Sequence, residues 1–201
     1  MKLYFSPASP FARKVLVVAH EAGMADRIEI LGSKASPVAT DMTIAASNPL
    51  GQVPSVLLPD GQPLHDSRVI CEYLDSLAGA GLFPAGEARW PVLTLQSLAD
   101  GILDAALLAR YETALRPEPL RWKAWEDGQM RKIQRGLDQL DAEAGGFVDR
   151  VDIATIAIGC ALGYLDFRFP HFDWRGGRDR LDAWYAGFAQ RPSMQATQPK
   201  G

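Results

Sequence analysis

Three short segments carry residue types able to hold a sulfur or carboxylate anion. Ser9-Pro10-Phe11-Ala12-Arg13 follows the β-prone run Leu3-Tyr4-Phe5. Serine is a favoured helix N-cap and proline suits the first helical position, so the segment predicts a helix start with Ser9 as its cap. The same geometry sets a hydroxyl and unpaired backbone N–H groups at the positive end of a helix dipole, where an anion such as a thiolate is stabilised. Ser6-Pro7 offers a second hydroxyl in this loop, and spacing leaves both serines open. The second segment, Asn48-Pro49-Leu50-Gly51-Gln52-Val53-Pro54, enters the run Ser55-Val56-Leu57-Leu58. Pro54 reads either as a plain first-strand residue or as half of a cis Val53–Pro54 bond that offers the Val53 backbone to an extended peptide. Third, Asp66-Ser67 precedes an apolar periodic stretch. Either residue caps a helix there, and such a helix start also accommodates a carboxylate.

The elements that position these segments follow from periodicity. Leu3-Tyr4-Phe5 and Ile28-Glu29-Ile30-Leu31 read as strands joined through a helix from Pro10 to Ala22, closed by Gly23, which predicts a parallel βαβ unit. Residues 32–51 give only a weak helix. Asp60-Gly61 supplies the turn of a hairpin between Ser55–Leu58 and Pro63–His65. From Asp66 to Leu77, Val69, Ile70, Tyr73, Leu74 and Leu77 share a helical face. Gly79, Gly81, Pro84 and Gly86 interrupt regular structure, so residues 1–78 read as one domain, 79–88 as a linker and 89–201 as a second domain. That second part reads as helices alone, over 90–114, 120–144, 152–167 and 178–190.

Composition excludes several function classes. Twenty-one Lys and Arg against 24 Asp and Glu, without a basic run, leave no electrostatic footprint for nucleic acid or an anionic membrane. The apolar stretch 153–165 is shorter than the ~20 residues that span a bilayer, and Pro7 interrupts any signal-peptide core. Cys71 and Cys160 match no metal or redox spacing and read as buried thiols, which fits a cytoplasmic protein. His20, His65 and His171 are scattered, so no metal site is expected.

The order of the three segments, followed by a helical domain, resembles the cytosolic glutathione S-transferases over nearly the whole chain, including Asp152-Ile153-Ala154-Thr155-Ile156-Ala157 and Arg191-Pro192-Ser193. Within the family it looks closest to bacterial members with a tau-like Ser-Pro-Phe turn. The resemblance implies an α/β thioredoxin-like N-terminal domain followed by an all-α C-terminal bundle. It also implies glutathione as co-substrate, with no metal, and a homodimer. The function implied is activation of the glutathione thiol for attack on a small hydrophobic electrophile or peroxide, in detoxification. The alternative is a non-catalytic ligand carrier or partner-binding stress regulator.

The resemblance further implies residue roles. Ser9, where thioredoxin-fold redox proteins carry cysteine, hydrogen-bonds the glutathione sulfur. Val53 pairs with the cysteinyl backbone and cis-Pro54 holds that geometry. Asp66 engages the γ-glutamyl amino group and Ser67 its α-carboxylate. Many relatives carry lysine where this chain has Gln52, so Lys34 or Arg13 is the candidate cation for the glycyl carboxylate. Phe11, Arg110, Tyr111 and Trp174 are candidates for the electrophile pocket, although aromatic residues at helical spacing also suit a core. Asp152 and Thr155 exchange the family's usual cap roles, and this element is assigned to stability. Arg68 resembles the dimer-interface arginine, against the alternative of a solvated surface charge.

Overall fold

A computed structural model describes residues 1–200. The elements run β1 (Lys2–Phe5), α1 (Pro10–Glu21), β2 (Glu29–Gly32), α2 (Met42–Ala45), β3 (Ser55–Leu57), β4 (Pro63–Leu64), α3 (Ser67–Ala78), α4 (Arg89–Ala114), α5 (Lys123–Glu143), α6 (Ile153–Arg168), α7 (Asp179–Phe188) and α8 (Pro192–Ala196). They form two compact units, Met1–Arg89 with the chain from Pro192 on, and Trp90–Arg191.

In the first unit the sheet order is β2-β1-β3-β4, with β1 and β2 parallel and the other pairs antiparallel. This is the thioredoxin-like arrangement. Leu3 faces Val56 across the β1–β3 ladder, both fully buried. The Asp60-Gly61 turn closes β3 onto β4, with Gly61 at φ 87°, a conformation glycine adopts at little cost. Helices α1 and α3 pack against each other, burying Val15, Val18, Ile70 and Leu74.

Two features depart from the boundaries read in the sequence. The stretch 79–88, expected as a linker, is fastened to α3: the buried Asp75 carboxylate accepts the Leu82 and Phe83 N–H groups at 2.8 and 3.1 Å. The tail, grouped by sequence with the helical half, packs on α1 as α8. Arg13 Nη2 donates to the Met194 carbonyl at 3.1 Å, and Ser193 Oγ donates to Glu21 Oε1 at 2.5 Å. Charged groups at both ends of α1 thus hold the returning chain.

The second unit is helical. Gly136 of α5 lies so close to α4 that a Cβ there would meet the Ile102 side chain at 2.7 Å and force it to shift. Residues 153–165 of α6 are all buried. The α6 start is a reciprocal capping box: Asp152 Oδ1 accepts the Thr155 N–H, and Thr155 Oγ1 accepts the Asp152 N–H, each at 3.0 Å. From α5, Asp141 accepts the Leu181 N–H at 2.9 Å and Asp138 pairs with Arg178 at 2.7 Å, which fixes the start of α7. The stretch Gly86–Ala114, rather than α6, is long and apolar enough to cross a membrane by length and composition. Its apolar window is 56% buried within the protein.

Candidate functional site

Sheet topology brings the three segments to one end of the first unit. Strands β1, β2 and β4 run toward that end and β3 starts from it: Tyr4 pairs with Ser55, Phe5 with Gly32, and Val56 with Leu64. The Ser6–Ser9 loop, Lys34, Val53–Pro54 and Asp66–Ser67 therefore all leave or enter the sheet at the same edge. Such an end, beyond the carboxyl termini of parallel strands, is where open α/β sheets bind ligands.

At this end two helices of 12 residues each begin. Ser9 caps α1, and its Oγ accepts the Ala12 N–H at 3.2 Å. The cap uses an oxygen lone pair, so the hydroxyl proton stays available for donation. Asp66 caps α3, with Oδ1 accepting the Arg68 N–H at 2.9 Å and the Arg68 Nε 3.4 Å from Oδ2. The carboxylate is exposed, whereas Ser67 at the first helical position is buried. Together the two helix starts give this end a positive potential, and Asp66 adds an acceptor suited to an ammonium group.

Between them lies a loop that shapes the strand entry. Buried Asn48 donates through Nδ2 to the Gln52 carbonyl at 2.9 Å and accepts the Leu50 N–H at 3.1 Å. Gly51 takes φ 62° there, with Thr40 Cγ2 only 3.1 Å from where a Cβ would stand. The chain then enters a cis Val53–Pro54 bond, and the β1–β3 ladder starts only at Ser55, so Val53 keeps its backbone groups outside it. Asn48 was not singled out in the sequence as a positioning residue. The signal was there in Asn-Pro-x-Gly, where a polar residue is buried to staple its own loop.

The candidate cations separate. Lys34 is exposed at the site end, its backbone N–H 3.4 Å from Asp41 Oδ2. Asp41 is an anchor for this stretch: hydrogen bonds from the Thr43 hydroxyl above all, and from the backbone, lower its pKa. Gln52 is exposed as well. Arg13 is a correction: it is 6% exposed, and its guanidinium is committed to Met194 and Thr197 of the tail. It is unsuited to a glycyl carboxylate because serving one would leave buried acceptors unpaired.

Of the pocket candidates, Phe11 is half-buried near the α1 start, 5.6 Å from Lys14 Nζ. In the second unit Arg110 and Tyr111 are partly open on α4. Trp174 is a second correction: it is 1% exposed, donates Nε1 to Asp166 at 2.7 Å and meets Tyr185 edge-on at 5.8 Å. An indole with its N–H satisfied and its face covered is a core residue. Sequence reading did not single out Tyr164, which is 5% exposed. Burial pushes its phenol up to about 12 and also raises Tyr111, so both remain hydrogen-bond donors at neutral pH. Among the described residues no group of three His, Cys, Asp or Glu could hold a metal ion.

Comparison with known proteins decides what this arrangement is. Residues 8–77 match the glutathione S-transferase N-terminal domain and residues 123–187 the C-terminal domain. The uncharacterized GST-like protein YibF of Escherichia coli K12 is 35% identical over 99% of this chain and 98% of its own. The chain belongs to the glutathione S-transferase family. A family member from Pseudomonas fluorescens Pf-5, solved with bound glutathione, is 49% identical with a TM-score of 0.97, covering 100% of this chain and 99% of that one. A glutathione S-transferase of Methylobacillus flagellatus KT with glutathione bound is 38% identical, with a TM-score of 0.87 and 99% of both chains covered. The thioredoxin-like first unit and helical second unit are thus the transferase fold.

Proposed function

We propose that this chain is a serine-type glutathione transferase that binds glutathione at the first unit's site end and activates its thiol through Ser9. The carrying observation is that Ser9 Oγ, at the positive start of α1, spends only a lone pair on Ala12. A thiol with a pKa near 8.5 is only a few per cent ionised at pH 7, and each unit of lowering requires about 1.4 kcal/mol of preferential thiolate stabilisation. A charge-assisted hydrogen bond and a helix start supply contributions of that size. The thiol proton leaves to solvent, the sulfur lone pair forms a bond to the electrophilic carbon, and the leaving group departs with its bonding pair. Asp66 and Ser67 hold the γ-glutamyl end, Val53 the cysteinyl backbone, and Lys34 and Gln52 face the glycyl end.

The bound glutathione of the Pseudomonas and Methylobacillus relatives supports this reading. The Pseudomonas relative has also been solved with S-(propanoic acid)-glutathione, a thioether of the kind sulfur transfer makes. Calorimetric titration with glutathione, followed by turnover of 1-chloro-2,4-dinitrobenzene and of cumene hydroperoxide, is the test. Binding with conjugation supports the transferase reading. Binding with peroxide turnover alone moves it to peroxidase chemistry, binding without either favours the ligand carrier, and absence of binding overturns it.

A further inference from the structure

The chain returning through α8 is fastened along α1 at three places, in order. Ser193 Oγ meets Glu21 at the last residue of α1. Arg13, near the start of α1, holds the Met194 carbonyl and reaches Thr197 Oγ1 at 3.5 Å. Beyond them the Lys200 N–H donates to the Pro7 carbonyl at 3.2 Å. The tail therefore runs back along α1 and reaches the loop that delivers Ser9. All of these contacts lie within the first unit.

The contact at Lys200 falls on one particular peptide group. Ser6-Pro7-Ala8-Ser9 is a β-turn, closed by the Ser9 N–H on the Ser6 carbonyl at 2.9 Å. Pro7 stands second, where its fixed φ suits a turn, and Ala8 does not take the left-handed conformation that a type II turn requires in third place. The closing bond ties the first residue of the turn to the fourth. It leaves the central Pro7–Ala8 peptide without a partner inside the turn, and that peptide is free to rock unless something outside holds it. The Lys200 N–H holds it. Pro7 is exposed whereas Ser9 is half-buried, so water would satisfy the Pro7 carbonyl nearly as well. The bond therefore contributes little to stability; its contribution is position.

We infer that Lys200 is a positioning residue for Ser9: its backbone N–H sets the turn through Pro7 and thereby the direction from which the Ser9 hydroxyl meets the glutathione sulfur. The inference rests on the transferase reading and adds the tail to the parts on which thiol activation depends. A hydrogen bond weakens steeply with angle, and small misplacements of a reacting group are costly. A rocking turn thus weakens thiolate stabilisation more than it weakens the hold of Val53, Asp66 and Ser67 on the rest of glutathione.

Two variants separate the N–H from the side chain. Lys200→Pro removes the N–H and leaves α8 and the Arg13 contacts untouched, whereas Lys200→Ala keeps the N–H and removes only the ammonium. In Lys200→Pro the pKa of bound glutathione, read from the ultraviolet thiolate absorbance, is expected to rise by about half a unit to one unit. Turnover of 1-chloro-2,4-dinitrobenzene is expected to fall about three- to tenfold, with glutathione affinity and urea midpoint close to native. Lys200→Ala is expected to titrate as the native chain does. A shift in both variants assigns the effect to the charge, and a shift in neither leaves the tail as packing alone; either result overturns the inference. So does a folded Lys200→Pro protein that has lost its glutathione affinity, because the tail then belongs to the binding site itself. Hydrogen exchange on the native protein tests the contact without a variant: the Lys200 amide is expected to be protected, and exchange at the rate of an open chain overturns it. Native protein that binds no glutathione removes the transferase reading and this one with it.

Discussion

Ser9 Oγ accepts the Ala12 N–H at 3.2 Å while its own proton remains uncommitted, so one hydroxyl can cap α1 and stabilise a thiolate together. The two roles respond differently to substitution. Ser9→Ala removes both, costing about 1 kcal/mol of stability, whereas Ser9→Gly removes the hydroxyl at a cap cost of a few tenths of a kcal/mol. Both variants are expected to raise the pKa of bound glutathione and lower turnover, with glutathione affinity nearly unchanged. The ultraviolet thiolate absorbance, followed against pH, measures this. If Ser6→Ala shifts that titration and Ser9→Gly does not, Ser9 is a cap only.

Arg13→Ala is expected to act on folding, because it leaves the Met194 carbonyl without its charged donor. The expected loss is roughly 1.5 to 3 kcal/mol in urea unfolding. Glutathione affinity of the folded variant should match the native value, while Lys34→Ala should weaken it. A selective loss of affinity in Arg13→Ala, with unchanged stability, would restore Arg13 to the glycyl site.

Much of the first unit was legible because its signals are local. Asp60-Gly61 forces a turn, Ser9-Pro10 starts a helix, and alternation marks the strands. The Asp152–Thr155 cap was legible for the same reason, since both partners lie within one turn. What escaped depends on contacts distant in sequence. Arg13 meets Met194 across 181 residues of sequence, and α8 is five residues long, too short for periodicity to announce. Asp75 reads as one more charge on a helix until Leu82 and Phe83 fold back to it. Tyr164 hides in a continuous apolar run, where no period distinguishes one face of α6 from another.

Glu112 links α4 to the start of α5 and makes stability depend on pH. The Trp122 N–H at 2.6 Å and Arg116 Nε at 2.8 Å hold its pKa below 4.5. With the folded-state value depressed, the unfolded chain binds the proton more readily. The stabilisation is therefore complete above the unfolded value and disappears as pH falls through the folded one. Native protein should exceed Glu112→Gln in urea midpoint at about pH 7, with the gap closing as pH falls through the depressed folded-state pKa. A gap independent of pH would assign the difference to packing.

A dimer is expected through the outer face of α3. Val69 and Leu77 are 48% and 50% exposed, and with Tyr73 between them they form an apolar stripe at i, i+4, i+8 beside Arg68. Light scattering should give twice the 21.9 kDa chain mass, and Val69→Asp with Leu77→Asp should return one chain mass without loss of helical circular dichroism. A native protein of single-chain mass at micromolar concentration contradicts the assignment.

The glutamyl end of the site rests on Asp66 and Ser67, whose cap and binding roles also separate. Asparagine caps a helix as well as aspartate does, so Asp66→Asn keeps the hydrogen bond to the Arg68 N–H and removes only the charge. Ser67→Ala removes a hydroxyl at the first helical position, where α3 has no need of it. Each variant should bind glutathione more weakly by roughly 1 to 3 kcal/mol, the range for leaving a charged group without its partner. The loss in Asp66→Asn should vanish for a glutathione analogue lacking the γ-glutamyl amino group, because the carboxylate then has no ammonium to meet. Calorimetry on the two variants with both ligands decides it. Equal affinity of native and Asp66→Asn protein for glutathione would move the glutamyl end away from α3, even if glutathione still binds elsewhere on the unit.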